Sequence, residues 1–173
     1  MAITAAEMIA RKGSRSRSRA WLTAYPALGA AAGIDRAPRR RGGGSLPGLL
    51  LGVPLALVGY QLGCALFGHK PYQSPPDSMA IELIALAGVV APVEELTWGR
   101  VVEPRLGIPM TATLFAIKHV VIDGKWRRAG GLAIFWVGLA LVRSRSPKVA
   151  LGLHAAANAT GVVMGHLTGR DLF

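Results

Sequence analysis

Two adjacent carboxylates, Glu94 and Glu95, stand inside one apolar run of this chain. His119 stands in a second, and His154 and Asn158 in a third. A charge in such a run costs about 2.5–3.5 kcal/mol if the run enters a membrane, so acids retained there are candidates for function. A carboxylate can take a proton from water, and histidine or asparagine donors can stabilise an oxyanion. Together they are the minimum equipment for amide hydrolysis without a nucleophilic Ser or Cys. Two histidines and a glutamate also make a chemically reasonable zinc site. The spacing is not that of an HExxH helix, so a divalent metal such as zinc, if one binds, would be held from three helices. Other uses compete. A lone histidine in an apolar helix usually packs or hydrogen-bonds between helices. Glu94, Glu95 and His119 would also serve a proton or ion path.

The elements that must position these residues can be read in order. Leu46 to Phe67 is an apolar span with no charge, followed by the turn-rich stretch Gly68–Asp77, broken by Pro71, Pro75 and Pro76. Ser78 is placed to cap a helix running from Met79 through Val102, which carries Glu82, Glu94 and Glu95. Pro104 and Gly107 mark a turn, and Pro109 suits the first position of a helix to about Ile122. Ala129 to Val142 is apolar and short, Arg143–Lys148 reads as a basic loop, and Val149 to Leu167 is the last span. Glu94 precedes Pro104 by ten residues and His119 follows Pro109 by ten, so each is roughly 15 Å from the same turn. His154 is roughly 10 Å from the next boundary, and Asn158 shares its helix face at i+4. Antiparallel helices would therefore bring all five residues to similar depth.

The expected architecture is all-α, a polytopic membrane bundle of four or five spans. Some stretches fall short of the ~20 residues that cross hydrocarbon, a deficit that neighbouring helices can cover. Only 17% of residues are charged, against about 25% in soluble domains, and the charges are bunched. Nine basic residues lie between Arg11 and Arg41 with Asp35 as the one acid among them. Residues 1–45 therefore read as a basic, poorly ordered arm, with Trp21–Ile34 interfacial at most because Pro26, Gly29 and Gly33 interrupt it. Such an arm suits nucleic acid or an anionic membrane. The spans that follow at once favour membrane lipids as partners and exclude nucleic acid. The arm, the Arg100–Arg105 turn and the Arg143–Lys148 loop outweigh Lys70, Lys125, Arg127 and Arg128, which predicts a cytoplasmic N-terminus, with the plasma membrane as the expected location. Cys64 is the single cysteine, so no intrachain disulfide can form.

Glu94-Glu95, Phe115-Ala-Ile-Lys-His119 and His154-Ala-Ala-Ala-Asn158 follow one another on successive apolar segments. In this they resemble the EExxxR, FxxxH and HxxxN motifs of the CPBP family, the type II CAAX endopeptidases and their bacteriocin-processing and abortive-infection relatives. The resemblance covers about residues 78–170, behind a first span and loop at 46–77. It implies an intramembrane endopeptidase acting on a peptide or protein substrate. Glu94 would be the general base, supported by Glu95. His119 would position water or bind a metal, and His154 and Asn158 would bind the oxyanion. Both metal-dependent and metal-free mechanisms are argued for the family. One feature departs from the pattern. The arginine comes one residue late, as Arg100 after Gly99, which turns a helical side chain by about 100°. An enzyme would need a bulge or tightened turn around Gly99 to pair Arg100 with a glutamate. Without that pairing, the chain would be a catalytically silent relative acting by binding, as an immunity protein or a subunit of a membrane complex.

Overall fold

The computed structural model describes residues 17–31, 45–70, 72–73 and 77–171. The chain is all-helical apart from a two-residue pairing of β1 (Tyr72–Gln73) with β2 (Arg170–Asp171). Most of the basic arm and the Pro75–Pro76 turn lie outside the described residues.

Helix α1, Arg17–Ala31, corrects the reading of residues 1–45 as poorly ordered throughout. Its alanines favour helix, and Pro26 is tolerated at an exposed position. Trp21 and Tyr25, four apart and so on one face, are buried against Ala85 and Val90. That face anchors the helix where its short length and Pro26 would not.

Helix α2, Leu46–Leu66, begins as its sequence dictates. Ser45 accepts from the Gly48 amide at 3.2 Å, and Pro47 sits in the first turn. Its packing partner is α5, Ala129–Arg143, through a stripe of small residues. A Cβ on Gly52 would meet the Gly138 carbonyl at 2.9 Å, and one on Gly59 would meet the Ile134 Cγ2 at 2.6 Å. Close backbone approach of this kind is how helices gain dispersion energy where apolar burial is weak, as in lipid. The opposite face of α2 exposes Leu50, Leu57, Val58, Leu62 and Leu66. With a mean hydropathy of 1.9, α2 is the one helix among the described residues that is long and apolar enough to cross a membrane.

Helix α3 covers 79–102 and starts at Ser78, whose hydroxyl accepts from the Ile81 amide at 3.3 Å. Two stretches inside it are π-helical, Ile84–Val90 and Glu95–Val102. Widened turns of this kind cluster at functional sites. Helix α4, Glu103–Asp123, is kinked at Gly107, whose φ of 76° and ψ of 167° break the helical path. It ends on Gly124 at φ 73°, the left-handed cap that glycine adopts without steric cost. A short 3-10 turn, Trp126–Arg128, leads into α5. Helix α6, Pro147–Thr168, is capped by Ser146. The core between them packs the rings of Phe115 and Trp136 with Leu139 and Val120, all almost fully buried.

Arg143 is a second correction. It closes α5 as a buried helical residue and is not part of an exposed loop.

Candidate functional site

Glu94 is the centre of the site. It ends the α-helical turn between the two π segments and is 2% exposed. Its Oε1 accepts from Lys118 Nζ at 2.6 Å and from the Tyr25 hydroxyl at 3.0 Å. Lys118 also donates to the Tyr25 oxygen at 2.6 Å. The His119 Nε2 is 3.5 Å from Oε1, and the His154 Nε2 is 3.6 Å from Oε2. Glu94 therefore has one oxygen engaged by an ammonium and a phenol, and the other turned toward His154.

Both imidazoles are oriented from behind. The His119 Nδ1 donates to the Phe115 carbonyl at 2.8 Å, which leaves Nε2 facing the carboxylate. The His154 Nδ1 donates to Glu95 Oε1 at 3.1 Å, with the same result. Phe115 fixes the rings sterically, with centroids 4.5 Å from His119 and 4.4 Å from Trp136. Phe135 meets His154 edge-on at 5.2 Å. The first and last residues of the FxxxH sequence thus act together, the phenylalanine through both its ring and its carbonyl.

Glu95 belongs to a second, buried cluster behind the first. Arg143 donates from Nε to Glu95 Oε2 at 2.7 Å and from its terminal nitrogen to Oε1 at 3.0 Å. Its other terminal nitrogen donates to Glu103 Oε2 at 2.5 Å. The guanidinium also lies 4.5 Å from the Trp136 ring centre, a cation–π geometry. This fork-on-fork pairing uses the planar donor array that lysine lacks. The helix around Gly99 is widened into a π turn, yet Arg100 remains exposed and forms no ion pair among the described residues. The arginine that partners the glutamates comes from α5. Gly99 has a role in this: a Cβ there would meet Arg143 Nε at 2.5 Å, so the glycine makes room for the guanidinium.

Asn158 reaches the same cavity as His154 and donates to the Leu86 carbonyl at 3.0 Å, tying α6 to the first π segment. It makes no hydrogen bond to either glutamate among the described residues. The cavity has a volume of about 230 Å³, and Glu94, His119, His154 and Asn158 line it together with Trp21 and Tyr25. All five residues singled out from sequence therefore surround or back one cavity. Tyr25, Lys118, Glu103 and Arg143 join them without having been singled out. Lys118 was visible as the neighbour of His119. The signal for Arg143 was its place beside the last apolar residue of α5.

The donor set does not suit zinc. Lys118 places an ammonium 2.6 Å from Glu94 Oε1, and the two Nε2 atoms approach different oxygens of that carboxylate. Among the described residues, no group of three His, Cys, Asp or Glu side chains is arranged to hold a metal ion.

The arrangement defines a class: a helical bundle with a buried, hydrogen-bonded glutamate–histidine centre opening on a cavity. No family model matches the chain, and neither a curated protein nor a solved structure does so.

Proposed function

We propose that the chain is an integral membrane endopeptidase of the CPBP type, with α2 to α6 as its bundle of spans, in which Glu94 activates water against a peptide bond. The observation that carries this reading is the convergence of Glu94 with the Nε2 atoms of His119 and His154 on one cavity. Separations of 3.5 and 3.6 Å are those across which a bridging water is to be considered. A water there donates one proton to Glu94 Oε2 and the other to a histidine Nε2. On attack, its oxygen bonds to the carbonyl carbon and its proton passes to Glu94. As the C–N bond breaks, that proton goes on to the leaving amine. The second N–H of the Asn158 amide is the donor on the cavity for the oxyanion, while Lys118 and the Tyr25 hydroxyl hold Glu94 Oε1. No step requires a metal.

The membrane part of the reading is supported by the apolar length of α2, its outward leucines and its small-residue contact with α5. Alkaline extraction of membranes tests it, because a peripheral protein would be released. Labelling of Ser16→Cys and Ser74→Cys tests orientation, and outside labelling of position 16 would refute a cytoplasmic N-terminus.

The catalytic part is tested by Glu94→Gln in reconstituted vesicles with a quenched-fluorescence peptide pool. Cleavage should fall at least ~10²-fold, the lower end of general-base effects. Equal cleavage by the variant would exclude the role.

One observation favours the second reading, a silent relative that binds. Lys118 and Tyr25 already occupy Glu94 Oε1. In that case the wild type cleaves no peptide of the pool and Glu94→Gln changes only stability.

A further inference from the structure

A second cavity of about 280 Å³ opens at the end of the bundle where α3 meets α4 and α5 turns into α6. Its floor is Arg143 with Glu95 and Glu103, and both acids are tied to that one guanidinium. Its walls are apolar: Pro92, Leu96 and Leu151. Its rim carries Arg100 and Lys148, both exposed and neither in an ion pair among the described residues. The lining holds three cations and two acids, a net of one positive charge, with the exposed cations at the rim beside an apolar wall. Arg105 and Arg145 stand at the same end of the bundle.

We propose that this cleft binds one anionic phospholipid, with its phosphate held by Arg100 and Lys148 and the start of an acyl chain along Pro92, Leu96 and Leu151. Basic clefts between membrane helices on the cytoplasmic side are suited to anionic headgroups. The volume is close to the ~300 Å³ lower end of small-molecule sites, so a headgroup and part of a chain fit while the rest of the lipid remains in the bilayer. The inference rests on the membrane reading but not on peptide hydrolysis. It also gives Arg100 a use that its separation from the glutamates otherwise leaves open. Because Glu95 and Arg143 form the floor, an occupied cleft would press on the residues that orient His154.

The experiment uses the full chain in a neutral detergent, with binding of short-chain phosphatidylglycerol followed by native mass spectrometry. Phosphatidylglycerol should bind, and phosphatidylcholine of the same chain length should not. A cation near an anionic lipid surface is worth about fivefold in affinity, so Arg100→Gln/Lys148→Gln should weaken binding roughly 30-fold. Arg170→Gln, at the far end of α6, should leave it unchanged. Three results would overturn the proposal: phosphatidylglycerol binding unaltered in the double variant, an equal loss in Arg170→Gln, or glycerol 3-phosphate binding as tightly as the lipid. The last would make the cleft a site for free phosphate. Release of the chain by alkaline extraction would instead count against the membrane reading, and the detergent titration separates that failure from this one.

Discussion

Replacing Arg143 by methionine keeps most of the apolar stem and removes every guanidinium bond. In the wild type that group makes two hydrogen bonds to Glu95, one to Glu103 and a face contact with Trp136. Removing one partner of a buried ion pair costs about 3–5 kcal/mol, because the other charge remains buried. Here Glu95 loses its cation while keeping His154, and Glu103 loses its Arg143 bond. For a chain of this length 1 kcal/mol moves Tm by about 2–4 °C, so Arg143→Met should melt about 6–20 °C lower. Arg100→Met, at an exposed position, should stay within about 0.5 kcal/mol, a shift of at most about 2 °C. Arg143→Lys should fall between them, since one ammonium cannot reproduce three N–H directions. Thermal unfolding in detergent micelles, followed by tryptophan fluorescence, measures all three. If Arg143→Met and Arg100→Met melted within 2 °C of each other, the assignment of the glutamate-pairing arginine to α5 would be wrong.

Other perturbations follow from the same contacts. Lys118→Met leaves Glu94 buried without its ammonium and should cost about 3–5 kcal/mol, while Lys118→Met/Glu94→Gln should recover much of that loss. Equal melting of the single and double variants would count against the pairing. Tyr25→Phe removes two hydrogen bonds to charged groups, the donation to Glu94 and the acceptance from Lys118, and should cost at least about 1.5–3 kcal/mol. If it melted like the wild type, α1 would contribute no polar anchor to the site. Gly52→Ala forces a methyl group against the Gly138 carbonyl and should cost about 1–3 kcal/mol. Gly152→Ala, where a Cβ meets nothing within 4 Å, should be neutral or stabilising. A reversed order in their melting temperatures would contradict the close contact of α2 with α5.

Local signals carried the helix limits. Ser78, Pro109 and Gly107 have one-position meanings that need no tertiary contact, and the helices begin or bend at or beside them. Counting residues from the turns put Glu94, His119 and His154 at similar depth, and the three meet around one carboxylate although α3 is widened and α4 kinked. What remained hidden depended on long-range partners. Arg143 opens a run of basic residues, so composition assigns it to a loop until Glu95 and Glu103 are seen to claim it. Lys118 precedes His119, and adjacent helical residues point about 100° apart, yet its long stem reaches the same carboxylate. Tyr25 lies in a stretch that is too short and too interrupted to read as a span, and burial against α3 decides its structure. The widened turns of α3 have no residue signature in the sequence at all.

The pairing of buried charges also runs in one direction along the chain. Glu94 is neutralised by Lys118, 24 residues later, and Glu95 by Arg143, 48 residues later. At about 5–20 residues per second a ribosome delivers the first acid roughly 1–5 s before its counter-ion, and the second roughly 2–10 s before. Of the groups on Glu94, Tyr25 alone is made earlier. During that interval Glu94 and Glu95 lack the cations they pair with in the folded chain, so α3 is held more loosely, by its apolar residues and by α1. The α4 and α5 segments then arrive as the counter-charge that lets α3 settle. A nascent chain arrested between Lys118 and Arg143 would hold Glu94 with its ammonium and Glu95 without its guanidinium.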